Sequence, residues 1–173
     1  AWENALKMVE DVGNLSPDQL KQLLLIKRLI LHDLVKMKMK GKKYSDVVNI
    51  IDNALLDITI KPLFNEDGGK ELMIDYAKAL ALAPDAGVTD VEKAVNTLRV
   101  LIEKENAPGG NRGWADHFSL IMSDVLRDAK SRNMRPRLSA REWYDAARGY
   151  CMRGQTCHKK YTELEKENPE QAK

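Results

Sequence analysis

Residues 16–40, with the sequence SPDQLKQLLLIKRLILHDLVKMKMK, decide the fold class of this chain of 173 residues. Ser16 can cap a helix, Pro17 suits the first helical position, and the side chain of Gln19 can reach back to the cap. Apolar side chains then recur every three or four residues until Gly41, a residue type common at helix ends. This pattern predicts a long helix, and the wide apolar face of that helix indicates a central position in a bundle.

Helical spacing continues on both sides of this stretch. An amphipathic pattern at residues 2–12 predicts a helix that ends at Gly13, and Ser45 or Asp46 opens another that extends to Ile58. Residues 56–60 alternate as a short strand would, but no second strand signal is present to pair with them, so helix is favoured. Further helices are predicted at 70–83, 89–106, 114–126, 139–150 and 156–167, with capping boxes at Thr89–Glu92 and Ser139–Glu142.

The chain is therefore expected to be all-α, a compact helical bundle of six to eight helices whose antiparallel neighbours are joined by short loops. The most flexible-looking connection is APGGNRG at residues 107–113. We expect a helical core over 1–106, a flexible loop or boundary at 107–113, and a basic helical segment over 114–173. That segment is expected to pack on the core, so that the chain forms one domain.

The formal net charge of +2 conceals an uneven distribution of charge along the chain. Residues 36–43 contain five lysines and no acid, and residues 127–160 contain ten cations against three acids. The remainder of the chain is correspondingly acidic. The nearly neutral total therefore does not exclude a polyanionic partner.

The basic segments predict a surface for RNA or another single-stranded nucleic acid. Lysine and arginine neutralise phosphates and release counterions, while aromatic rings stack on unpaired bases. The predicted phosphate-binding residues are Arg127, Lys130, Arg132, Arg135, Arg137, Arg141, Arg148, Arg153, Lys159 and Lys160, together with Lys36, Lys38, Lys40, Lys42 and Lys43. The predicted stacking residues are Trp143, Tyr144 and Tyr150.

Each part of this surface also has a plainer interpretation. The lysines of residues 36–43 end a long helix, where cations favour the helix dipole and stay solvated. The arginines of residues 127–160 could dock onto the acidic remainder of the chain or onto an acidic partner. At least one of Trp143 and Tyr144 is expected to belong to the core beside Ala147.

Cys151 and Cys157 are separated by five residues, a spacing that resembles the middle of a CCCH zinc finger. Tyr161 stands where that pattern has its histidine, and no cysteine precedes Cys151, so two of the four ligands are missing locally. His32 or His117 could complete a site only through the fold, so we expect two reduced thiols, no metal and no cofactor. Because no residues have the spacing of a nucleophile and its base, we also expect a non-enzymatic protein without a small-molecule substrate.

Two classes of function remain open. The first is a non-enzymatic nucleic-acid-binding helical protein, and the second is a protein–protein adaptor or a self-assembling, nucleocapsid-like scaffold without direct nucleic-acid readout. The low cysteine content predicts an intracellular location, cytoplasmic or nuclear, and no stretch is apolar enough to predict a membrane partner. A first residue Ala1 rather than Met fits a fragment of a longer protein.

Overall fold

A computed structural model of the chain describes residues 16–57 and 60–167. Within these ranges the secondary structure is helical, with six α-helices, one short 3-10 helix and no strand. The all-α prediction is therefore confirmed, and helix is correct for residue 56, where a strand was the alternative. The helix predicted at residues 2–12 and the predicted helical end at Ile58 lie outside the described residues.

The helices are α1 (Pro17–Lys40), α2 (Tyr44–Leu56), the 3-10 helix (Lys61–Asn65), α3 (Asp67–Leu82), α4 (Val88–Asn106), α5 (Arg112–Ser131) and α6 (Ala140–Glu167). They form two compact units that divide between Ala86 and Gly87. The first unit holds α1 to α3, and the second holds α4 to α6. Residues 107–111 connect α4 to α5 inside the second unit, where these two helices pack against each other. The predicted core at 1–106, boundary at 107–113 and packed segment at 114–173 stay predictions.

Two predicted capping boxes are confirmed. At the start of α1, the Gln19 N–H donates to Ser16 Oγ at 3.3 Å and the Ser16 N–H donates to Gln19 Oε1 at 2.9 Å. At the start of α6, the Glu142 N–H donates to Ser139 Oγ at 3.3 Å and the Ser139 N–H donates to Glu142 Oε2 at 2.7 Å. Each pair satisfies backbone donors that a helix start leaves without a partner inside the helix.

The capping box predicted at Thr89–Glu92 is wrong. α4 begins earlier, after Gly87, whose N–H donates to Asp90 Oδ2 at 2.8 Å. Glu92 is thereby left to accept the N–H of Arg137 at 2.6 Å, a contact between elements that are far apart in sequence. The two helices predicted at 139–150 and 156–167 are also one continuous helix of 28 residues, because no proline interrupts them.

In the first unit, α3 is the central helix. Its residues from Leu72 to Ala77 are all buried, whereas α1 buries one face only. The central position predicted for α1 is therefore wrong, since Leu25, Ile26 and Leu29 on its other face are about half exposed. Apolar residues occur on two faces of α1, and for this reason the sequence predicts a wide apolar face. Only one of the two faces belongs to the core.

In the second unit, α5 lies between α4 and α6 in its contacts, and α6 also touches α4. Large side chains from α4 and α5, including Leu98, Ile102, Phe118 and Met122, are fully buried. α5 and α6 cross where Gly149 meets the backbone of Ser119, and a Cβ atom on Gly149 would lie 2.0 Å from the Ser119 carbonyl oxygen. This close crossing determines which face of α6 is turned toward the core.

The cap of α6 provides a direct test of these assignments. Ser139→Ala is expected to lower the free energy of unfolding by about 1 kcal/mol, because the first turn loses the acceptor for the Glu142 N–H. Thr89→Ala is the matched control, since Thr89 is exposed within α4 and does not cap it. Urea unfolding followed by far-UV circular dichroism measures both variants. Equal losses would contradict the assignment of the caps.

Candidate nucleic-acid interface

The three predicted stacking residues are exposed side chains of α6. This helix turns Asp145, Ala146 and Gly149 toward the rest of the second unit, and all three are buried. Trp143 and Tyr150 are seven residues apart and share one side of the helix, whereas Tyr144 lies about 100° around the helix from Trp143. The side chains of Trp143, Tyr144 and Tyr150 are 55%, 62% and 41% exposed, respectively. The expectation that Trp143 or Tyr144 belongs to the core beside Ala147 is therefore wrong, and Ala147 itself is exposed.

The charge of an arginine acts on each of two exposed tyrosines of α6, Tyr144 and Tyr150. The Arg141 guanidinium carbon lies 5.5 Å from the centre of the Tyr144 ring, within the range of a cation–π contact. Burial raises the pKa of Tyr150, the charge of Arg127 opposes that rise, and the charge of Asp124 adds to it. At Tyr144 a flat apolar ring is therefore combined with positive charge, the combination that binds nucleobases and their phosphates.

Five of the predicted phosphate-binding arginines are paired with carboxylates inside the second unit. Three pairs join residues three or four apart in the chain, Arg132–Asp128 at 2.8 Å, Arg127–Asp124 at 3.1 Å and Arg141–Asp145 at 3.3 Å, and two join α6 to α5, Arg148–Asp116 and Arg153–Asp124. These pairs reduce the net positive charge of the surface. They also hold the guanidinium groups in fixed positions, so these side chains lose less conformational entropy when a ligand binds.

The cations of this segment without an ion pair in the described part of the chain are Lys130, Arg135, Arg137 and Lys159, all exposed. Arg135 and Arg137 flank Pro136 in the connection between α5 and α6. The hydrogen bond from the Arg137 N–H to Glu92 ties this connection to α4 while leaving the Arg137 guanidinium exposed. Lys130 ends α5 just before it. The side chain of Lys160 lies outside the described residues.

The lysines of residues 36–43 belong to the first unit and divide into two groups. Lys36 pairs with Asp75 at 2.8 Å and Lys38 pairs with Asp46 at 2.7 Å. The hydrogen bond from Lys38 lowers the pKa of Asp46. The other three lysines are exposed and make no ion pair in the described part of the chain, namely Lys40, Lys42 and Lys43.

Asp145 is a functional candidate that the sequence did not indicate. It is fully buried, and Arg141 Nε donates to its Oδ2 at 3.3 Å. Burial raises the pKa of Asp145, while the charge of Arg141 opposes that rise. Within the described part of the chain, its second oxygen, Oδ1, accepts no hydrogen bond. The spacing of Arg141 and Asp145, four residues apart on a helix, is the signal that could have identified the pair.

The described residues offer weaker candidates for a metal site or a small-molecule site. Cys151 and Cys157 are exposed free thiols, and among residues 16–57 and 60–167 no three His, Cys, Asp or Glu side chains are grouped to hold a metal ion. An open cleft of about 410 Å³ in the first unit is lined by Arg28, His32 and Glu66, among others. Arg28 and Glu66 pair with each other there, so the cleft offers few uncommitted polar groups.

None of the described helices combines the length and the apolar composition that crossing a membrane requires. Comparison with protein-family models, with curated proteins and with solved structures finds no match to this chain.

Proposed function

We propose that this protein is a non-enzymatic, nucleic-acid-binding helical protein that holds RNA or another single strand on its second unit. The observation that carries the proposal is the exposure of three large aromatic side chains on α6, those of Trp143, Tyr144 and Tyr150. Exposed rings of this size are costly to leave in water unless a partner covers them. Unpaired bases are a suitable partner because each presents a flat π-face.

Unpaired positive charge in the same unit favours a polyanion over an apolar protein partner. Lys130, Arg135 and Arg137 have no carboxylate partner in the described structure and lie at the end of α5 and in the connection to α6. Free guanidinium and ammonium groups bind phosphate without first breaking an ion pair. These three cations are therefore proposed as the principal phosphate ligands, with Lys159 as a further one.

The ion-paired arginines enter the proposal differently. Arg127, Arg132, Arg148 and Arg153 each share a carboxylate within the second unit, so each must exchange or share its partner to bind phosphate. Such exchange contributes less net affinity than contact by an unpaired cation. Residues 36–43 are a second proposed phosphate-binding segment. Its contacts are assigned to the three lysines that make no ion pair in the described residues, Lys40, Lys42 and Lys43.

Binding to a single-stranded RNA across a salt series tests the proposal. Affinity is expected to fall linearly with salt on logarithmic axes, with a slope of about −0.7 per phosphate contact. The combined variant Lys130→Ala, Arg135→Ala and Arg137→Ala is expected to reduce that slope by about 2. Its thermal stability is expected to stay close to that of the wild type, because all three side chains are exposed.

A charge-matched control lies in the first unit. The variant Lys40→Ala, Lys42→Ala and Lys43→Ala removes the same charge from another exposed segment. A smaller change in slope for this control assigns the main phosphate contacts to the second unit. If the wild-type protein has no measurable affinity at low salt, or no dependence on salt, the proposed function is wrong.

A second candidate function is that of a protein–protein adaptor or self-assembling scaffold. The exposed apolar face of α1, formed by Leu25, Ile26 and Leu29, favours it because these side chains gain from being covered. Light scattering in the same salt series separates the two functions. A mass that rises with protein concentration in the absence of RNA supports self-assembly, whereas a constant monomer mass with RNA binding supports the first proposal.

A further inference from the structure

Asp145 has no evident structural benefit to the second unit. It is a fully buried carboxylate on α6, and within the described residues one of its two oxygens lacks a hydrogen-bond donor. A buried carboxylate that is only partly satisfied is costly to a fold. Its one hydrogen bond joins Arg141 Nε, at 3.3 Å, so the consequence of its presence is the position of Arg141.

Arg141 in turn connects this buried carboxylate to the exposed ring of Tyr144. Its guanidinium carbon lies 5.5 Å from the centre of the Tyr144 ring, and its side chain remains 48% exposed. The group is therefore held at one end by Asp145 and placed over Tyr144, while part of it still faces solvent. A guanidinium fixed in this way presents a flat, weakly hydrated surface.

We propose that Arg141 is a base-stacking group of the nucleic-acid site rather than a phosphate ligand, and that Asp145 is its positioning residue. This inference rests on the proposed function. Nucleobases stack on arginine planes as well as on aromatic rings, so Arg141 extends the surface that Tyr144 begins. The ion pair with Asp145 occupies Nε and limits the rotation of the side chain, which favours stacking over bidentate capture of phosphate.

The surroundings of Asp145 support a positioning role and keep the test feasible. Arg148 also faces this carboxylate and favours its charged form, whereas Glu103 opposes it. Burial dominates these influences and raises the pKa of Asp145. Because a raised pKa means that folding favours the neutral form, Asp145→Asn is expected to leave the protein folded at neutral pH. Arg141→Lys is a second variant, which keeps the charge and removes the flat surface.

The experiment compares two probes with the same number of phosphates. One is a labelled single-stranded RNA of about twelve nucleotides, and the other is an abasic sugar–phosphate strand of equal length. Arg141→Lys is expected to bind the RNA about tenfold more weakly than the wild type, with an unchanged salt slope and no difference on the abasic strand. Asp145→Asn is expected to weaken RNA binding in the same way by about threefold, because a neutral amide holds Arg141 less strongly.

Different results would overturn this inference and the proposed function on which it rests. If the wild type binds neither strand at low salt, the proposed function fails and the role of Arg141 fails with it. If the wild type binds RNA and Arg141→Lys matches it, Arg141 does not stack. Equal losses on RNA and on the abasic strand would make Arg141 a phosphate ligand, and nucleic-acid binding would stand without this inference.

Discussion

Replacing Gly149 by alanine is expected to destabilise the second unit by about 2 kcal/mol or more. The new Cβ would lie 2.0 Å from the Ser119 carbonyl oxygen, a distance that atoms in a folded protein do not tolerate, and would make a tight contact of 3.0 Å with the Ser123 Cβ. Alanine raises helix propensity by at most about 1 kcal/mol, which is too little to offset that overlap. α5 and α6 must therefore move apart, and the contacts that they share weaken along their length.

Gly154 provides the matched control on the same helix. No atom lies within 4 Å of the position that its Cβ would occupy, so Gly154→Ala is expected to be neutral or to stabilise by up to about 1 kcal/mol. Urea unfolding of both variants, followed by circular dichroism, gives their free energies of unfolding. The difference compares alanine at the buried crossing of α5 and α6 with alanine at an exposed position of α6. Similar stabilities for the two variants would rule out the close approach of α5 to α6.

The fold could be predicted where local chemistry decides it. Ser16 and Ser139 cap helices as their sequence context indicates, because a cap is made by residues three apart in the chain. Thr89 has the same context and does not cap, since Gly87 and Asp90 start α4 first. Glu92 then serves another element, and sequence alone cannot show that Arg137, 45 residues away, needs an acceptor.

The charge of the candidate site could be predicted less well. Counting charges within residues 127–160 leaves out Asp116 and Asp124, which precede that segment on α5. Packing of α6 on α5 brings these acids to Arg148 and Arg153. A tally along the chain records neighbours in sequence, whereas ion pairing depends on neighbours in space. The unpaired cations, Lys130 and Arg135 among them, can be recognised only after the partners are known.

The buried side of α6 also could not be predicted from the sequence alone. Ala146 and Ala147 are adjacent and chemically identical, yet Ala146 is buried and Ala147 is exposed. Apolar side chains occur on both faces, so the helical period alone does not decide which face is covered. Gly149 decides it, because only a residue without a side chain fits against Ser119. Trp143 and Tyr144 consequently lie at the surface, and the candidate site depends on this orientation of α6.

Removing the exposed aromatic residues of α6 is expected to have the largest effect on binding. The combined variant Trp143→Ala, Tyr144→Ala and Tyr150→Ala should weaken affinity for single-stranded RNA by about a hundredfold or more, because each stacked base contributes roughly 1–3 kcal/mol. The salt slope is expected to stay near that of the wild type, since no cation is removed. Fluorescence anisotropy with a labelled strand, measured at several salt concentrations, gives both quantities.

Exposed apolar residues of the first unit supply the control for this variant. Leu25→Ala, Ile26→Ala and Leu29→Ala also remove three large exposed side chains, but from α1. This variant is expected to leave RNA affinity unchanged, and both variants are expected to stay folded, because every side chain removed is at least 41% exposed. If the α6 variant keeps its RNA affinity but no longer forms an oligomer that the wild type forms, the exposed aromatic residues of α6 bind protein. Loss of affinity in the α6 variant alone, at constant mass, assigns those residues to unpaired bases.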